Sequence, residues 1–284
     1  MNALEIRGLT KHYKGFTLGP LDLTLPGGTI CGLVGENGAG KSTTMKLILG
    51  VCEADSGSAT VLGTDNNQAK AFTLTKADLG VVLDDPGIPQ CLTASQVGKI
   101  MAGIYPNWDA DAYAELCRKF ALPTNKKFKD YSRGMKMKQG LAVALAHHPK
   151  LLLLDEATSG LDPVVRDELI DMLLDFARDE DHAVLVSSHI VSDLEKLCDT
   201  IAFLHKGKLL LCEDKDALRD EYALWHGTAE QLAELDDSAI LSRRTTPYGA
   251  EALVRRDGVP AGSPLTPVSI EELFVQMVKG ETRA

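Results

Sequence analysis

A chain of 284 residues, at about 150 per domain, allows one large core plus an appended piece. Hydrophobic residues at 44% and charged residues at 25% are globular averages, which disfavours disordered, collagen-like and coiled-coil structure. Thirty Lys and Arg against 40 Asp and Glu leave a net charge of −10, which argues against nonspecific attraction to nucleic acid or anionic lipid.

From the start, Glu5, Arg7, Lys11 and Lys14 interrupt any apolar leader, so no secretory signal is read. The longest apolar runs, Leu141 to Ala146 and Leu151 to Leu154, are far below the roughly 18 residues that cross a bilayer. Up to about residue 215, short apolar runs alternate with helical patterns, which predicts an α/β layer on a largely parallel sheet. The predicted strands are Thr29 to Val34, Leu79 to Leu83, Leu151 to Asp155, Ala183 to Ser187 and Ile201 to Leu204. Between the second and third, Tyr113, Leu116 and Phe120 recur at helical spacing, and Arg133 to Ala146 forms a second helical stretch. Residues 90–148 therefore read as a helical insertion. Beyond 215 the pattern breaks into short pieces, a Pro/Gly-rich stretch from Val259 to Pro267 and a final amphipathic helix at Ile270 to Lys279. Two parts are expected, residues 1–215 and a small accessory region, 216–284. The six cysteines show no CxxC pairing and no framework spacing, as expected for reduced thiols.

Gly35-Glu36-Asn37-Gly38-Ala39-Gly40-Lys41-Ser42 fits G-x-x-x-x-G-K-[ST] between a predicted strand and a helical run from Thr43 to Leu49. Glycines let the backbone aim several N–H groups inward, and the helix N-terminus adds partial positive charge, so the loop can hold a polyphosphate. Gly35, Asn37, Gly38, Ala39, Gly40, Lys41, Ser42 and Thr43 are the expected nucleotide contacts. Lys41 would reach the β- and γ-phosphates, and Ser42 would offer its hydroxyl to Mg²⁺.

Four leucines run into Asp155-Glu156, so a buried strand delivers two carboxylates at its C-terminal end, where open α/β sheets bind ligands. Adjacent strand residues point opposite ways. Asp155 is expected to hold Mg²⁺ through its water shell, and Glu156 to polarise a water attacking the γ-phosphate.

With these motifs the chain resembles the nucleotide-binding subunit of an ATP-binding cassette (ABC) transporter over about three-quarters of its length. Tyr131-Ser132-Arg133-Gly134-Met135 resembles the family signature LSGGQ, of which Ser132 and Gly134 match. The resemblance implies that this Ser and Gly cap the γ-phosphate of an ATP held by a second subunit; Ser132 also suits a plain helix N-cap. Ser159-Gly160-Leu161-Asp162 matches the D-loop, with Ala157 where the family has Pro. His189 stands at the switch histidine, and Tyr13 where an aromatic stacks on adenine, with core packing as the competing role for that ring. At the Q-loop this chain has Asp84-Asp85 where the family generally has Gln, and Asp84 is expected either as a water-mediated metal contact or outside the site. Gln90 lies six residues too late to replace it.

The resemblance implies a P-loop NTPase of the ABC ATPase type: α/β, a mostly parallel sheet core with an antiparallel β edge, a helical insertion and a small C-terminal appendage. It further implies an ATP- and Mg²⁺-dependent ATPase that forms a head-to-tail homodimer or heterodimer and drives separate integral-membrane permease subunits from the cytoplasmic face, with no nucleic-acid partner. Tyr105-Pro106-Asn107-Trp108-Asp109, the Ser132 to Met137 run and the terminal Glu271-Glu272-Leu273-Phe274 resemble single-cassette exporters of the ABC-2 type. A soluble ABC ATPase of translation, repair or assembly is the alternative, although tandem cassettes and a long coiled coil are both missing. Asn125-Lys126 suggests guanine recognition, but Phe128 stands where that pattern needs Asp.

Overall fold

In a computed structural model that describes residues 1–246 and 249–281, the chain divides into two compact units. The first comprises residues 1–198 and 202–212, the second residues 199–201 and the chain from 213 onward. The first begins with a hairpin the sequence reading did not resolve, β1 (Asn2–Tyr13) and β2 (Phe16–Pro26). Leu4, Ile6 and Leu9 on β1, with Leu18, Leu21, Leu23 and Leu25 on β2, are all buried, so alternation turns one face inward.

Next come β3 (Thr29–Gly35), α1 (Lys41–Ile48), β4 (Ser56–Val61), β5 (Thr64–Asp65), α2 (Ala69–Thr75) and β6 (Leu79–Val82). The insertion holds α3 (Ala94–Met101), α4 (Ala110–Lys119) and α5 (Arg133–Leu145). The chain continues through β7 (Leu151–Asp155), α6 (Pro163–Ala177), β8 (Ala183–Ser188), α7 (Val191–Leu197), β9 (Thr200–His205) and β10 (Lys208–Asp214).

Two sheets result. One is antiparallel, in the order β2-β1-β4-β5. The other has the order β10-β9-β3-β8-β7-β6, with β3, β8, β7 and β6 parallel. Every residue of β7 and β8 is buried, which explains why these runs lack alternation: both faces are covered. At the opposite edge β9 and β10 are joined by Lys206 and Gly207, both with positive φ, the two-residue turn that links antiparallel strands.

Helix α4 is capped by Asp109, whose Oδ1 accepts from the N–H of Asp111 and Ala112 at 3.0 and 2.9 Å. Its buried face is Tyr113, Cys117 and Phe120; Leu116, expected inside, is only half-buried because Cys117 lies one turn beyond Tyr113 on the inward stripe. The Tyr113 hydroxyl donates to Ala94 O at 2.9 Å and accepts from Gln139 Nε2 at 2.6 Å, tying the three helices together.

The second unit contains α8 (Lys215–Glu221), β11 (Tyr222–Gly227), α9 (Ala229–Ala233), β12 (Ile240–Thr246), β13 (Gly249–Arg255), β14 (Leu265–Thr266) and α10 (Ile270–Glu281). Its sheet has the order β12-β13-β11-β14 and a core of Trp225, Leu232, Ala250, Ala252 and Val254. The predicted C-terminal helix is α10, which buries Ile270, Leu273 and Phe274 and starts at a capping pair, Ser269 and Glu272. No disulfide joins the six cysteines; Cys31, Cys117 and Cys198 are buried, and Cys91 is exposed.

Candidate functional site

The parallel register brings four strand ends to one edge. Val34 pairs with Ser188, Asp155 with Ser187, and Val82 with Leu154, so the residues that follow β3, β6, β7 and β8 converge at the C-terminal edge of the sheet. A cleft of about 820 Å³ opens there. It is lined by Asn37, Gly38, Gly40, Lys41, Ser42 and Thr43 from the phosphate loop and by Glu156, His189, Asp84 and Tyr13 from elsewhere. Gly35 and Ala39, also expected as contacts, are buried beneath the loop.

Loop geometry follows from its glycines. Gly40 caps α1 at φ 114, a left-handed conformation, and a Cβ there would come within 2.5 Å of Leu18 Cδ1. The helix starts at Lys41, two residues earlier than the sequence reading placed it, so the N–H groups of Lys41, Ser42 and Thr43 belong to its first turn and have no partner within the helix. Together with the dipole, they make an anion-binding end.

Lys41 is buried and its Nζ donates to Gly35 O at 2.7 Å. It lies 3.2 Å from Glu156 Oε1, and Glu156 Oε2 lies 2.6 Å from His189 Nδ1. A carboxylate can only accept, so the ring proton of His189 sits on Nδ1 and Nε2 is left for another partner. The three side chains thus form a continuous chain across the cleft, an ion pair from Lys41 to Glu156 and a hydrogen bond from His189 to Glu156.

The two carboxylates are separated differently from expectation. The strand ends at Asp155, and Glu156 leaves it at φ 54, in the left-handed region, so strand alternation does not set its direction. Its N–H donates to Ser187 O at 3.1 Å and meets Ser187 Oγ at 3.2 Å. Ser187 Oγ in turn donates to Asp155 Oδ1 at 2.5 Å. Asp155 is buried, with one oxygen held this way and the other left as an acceptor.

Tyr13 is 46% exposed, which rules out a core role for its ring. It pairs with Phe16 across a two-residue turn, and both line the cleft. Ser132, Gly134 and Asp162 lie outside the lining of this cleft. Ser132 caps α5 by accepting from Met135 N at 3.3 Å, and Asp162 caps α6 by accepting from Val165 N at 3.1 Å. Asp84 lines the cleft, but its carboxylate meets Arg133 Nη2 at 3.0 Å, a partner not anticipated from the sequence.

Phe16, Arg133 and Ser187 were missed. Alternating apolar residues on either side of Lys14-Gly15 could have exposed the hairpin that brings in Phe16. Ser187 depends on which residue of β8 stands opposite Asp155, which chain order does not reveal.

The profile described as "ABC transporter" matches residues 18–159, half of the chain. The chain belongs to the ABC transporter family. The uncharacterized ABC transporter ATP-binding protein YhcH of Bacillus subtilis (strain 168) is 32% identical over 99% of this chain and 97% of its own length. The lantibiotic transport ATP-binding protein SrtF of Streptococcus pyogenes is 34% identical over 84% of this chain and 97% of its own. A solved ATP-binding subunit of an ABC transporter superposes with a TM-score of 0.70 at 26% identity, covering 76% of this chain and 92% of that one. The ABC chain described here is thus an ATP-binding, ATP-hydrolysing subunit of an ABC transporter. No helix among the described residues is long and apolar enough to cross a membrane.

Proposed function

We propose that this ABC subunit powers export as one half of a head-to-tail ATPase pair, a second copy or a related chain, docked on membrane-spanning permease subunits at the cytoplasmic face. Residues 1–215 are the ATPase and 216–284 an accessory region. The observation that carries the site is the Lys41, Glu156, His189 cluster, held at the C-terminal strand edge beside a helix N-terminus. The relative named for lantibiotic transport supports the transport reading.

In this scheme the backbone from Gly35 to Thr43 cradles the phosphates and Lys41 exchanges Glu156 for the terminal ones. Glu156 takes a proton from the attacking water, and His189, fixed by its Nδ1 proton, presents Nε2 as an acceptor that orients that water's other O–H. Tyr13 stacks on the base. Ser132 and Gly134, exposed or half-exposed at the start of α5, are free of their own cleft and suit the partner's nucleotide, with Gly160 and Leu161, the residues just before Asp162, lying beside Gly134.

Mg²⁺ fits as an ion carried with the nucleotide. No cluster of three or more His, Cys, Asp or Glu among the described residues could hold a metal, whereas Mg²⁺ commonly binds one or two protein oxygens, waters and phosphates. The Ser42 hydroxyl and the Asp155 carboxylate would hold it. It would supply charge neutralisation between phosphate oxygens. Asp84 is left out of that set because its carboxylate is turned to Arg133 Nη2, 3.0 Å away.

Closure by ATP and reopening after hydrolysis can do work only if ATP binds the two states with different affinity. Lys41→Ala is expected to abolish ATP binding in calorimetry and phosphate release. Unchanged turnover would remove the phosphate loop from the mechanism, and copurification with ribosomes or DNA in place of a membrane protein would overturn the transport assignment.

A further inference from the structure

Asp84 follows β6 and Arg133 opens α5, yet their side chains meet at the mouth of the cleft, Arg133 Nη2 donating to Asp84 Oδ1 at 3.0 Å. Both line the same cleft as Lys41, Glu156 and His189. The arginine stem runs along Gly160: a methyl group built on that glycine would come within 3.1 Å of Arg133 Cδ and 3.4 Å of Nε. The guanidinium is therefore aimed from both ends, by a carboxylate at its tip and a bare glycine against its stem.

This arrangement belongs to the chain's own departures from the family pattern. Arg133 stands at the first glycine of LSGGQ, and Asp84 stands at the Q-loop glutamine. A carboxylate facing a polyphosphate is repelled, so Asp84 at this place needs a cation beside it. The Asp84–Arg133 pair is weak and exchangeable, because the two side chains are 62% and 60% exposed and water screens them. A guanidinium has five donors in a rigid fork that matches phosphate oxygens, and one bond to Asp84 leaves the others available.

We propose that Arg133 is a further substrate-contacting residue, which binds the terminal phosphate of the ATP held in the cleft of its own chain, with Asp84 as the positioning residue that keeps it aimed there. The inference rests on the cleft being the ATP site. It differs from the role proposed above for Ser132 and Gly134, which is on a partner's nucleotide.

The test is calorimetry with Mg²⁺, a non-hydrolysable ATP analogue and ADP, at a concentration where light scattering finds single chains. Arg133→Ala is expected to weaken the ATP analogue roughly tenfold, the lower end for one lost charge-assisted hydrogen bond, and to change ADP by less than about twofold. Retained ADP affinity also reports an intact fold. In Asp84→Asn/Arg133→Ala the loss is expected to persist. Recovery of affinity in that double variant would mean that Arg133 only cancels the Asp84 charge, and would overturn the proposal. So would equal losses for both nucleotides, no loss at all, or a loss seen only at concentrations where the chain dimerises. If Lys41→Ala also keeps full affinity, the ATP-site assignment itself fails; if Lys41→Ala abolishes binding while Arg133→Ala does not weaken it, only the arginine assignment falls.

Discussion

Replacing Glu156 by Gln keeps nearly the same size and removes both the charge and the proton acceptor. Its side chain is only 13% exposed, with Lys41 Nζ at 3.2 Å and His189 Nδ1 at 2.6 Å. An amide oxygen still accepts from His189, so the ring keeps its place. The attraction to Lys41 disappears, which releases that ammonium for the phosphates. ATP affinity is therefore expected to hold or rise while turnover collapses. A positioned general base contributes about 10²- to 10⁴-fold, which corresponds to roughly 3 to 5 kcal/mol of barrier. Phosphate release at saturating ATP, measured beside equilibrium ATP binding, reads the two effects separately. A fall in turnover of less than about tenfold would reduce Glu156 to a counter-ion of Lys41, and a parallel loss of binding would show that its charge organises the ground state.

The helical insertion and its border offer two further tests. Gly98→Ala sets helix propensity, a gain of about 0.8 to 1 kcal/mol, against overpacking at about 1 to 3 kcal/mol, since the new Cβ would lie 2.6 Å from Tyr113 Cε1 in a ring fixed by two hydrogen bonds. Net destabilisation in urea unfolding is expected; a stabilised variant would mean that the ring moves aside freely. His147 is fully buried between Val143 O and Leu79 O, and burial holds its pKa below the ordinary 6.5. The unfolded chain therefore takes up a proton there more readily than the folded one, so its contribution is complete above pH 6.5 and lost as pH falls below it. His147→Gln is expected to show a smaller loss of unfolding midpoint between pH 7.5 and 5.5 than the unaltered chain, and equal losses would remove His147 as the source.

Local pattern was enough where one segment does its own work. The phosphate loop was legible because backbone turns and a helix start need glycine, Lys and Ser at fixed spacing, and Leu151 to Leu154 read as a buried strand because both its faces are covered. The N-terminal hairpin and the C-terminal sheet escaped, since their strands alternate with polar residues and gain meaning only when paired.

Chain order alone determined the family resemblance, the glycine-rich phosphate-loop pattern and the acidic end of β7. Only the assembled sheet decided that Ser187 holds Asp155, that Glu156 turns left-handed toward Lys41 and His189, and that Arg133 meets Asp84 across 49 positions of chain. The physical reason is that these are contacts between neighbouring strand ends and loops, whose partners are set by strand order and register, and neither is written in any single stretch of residues.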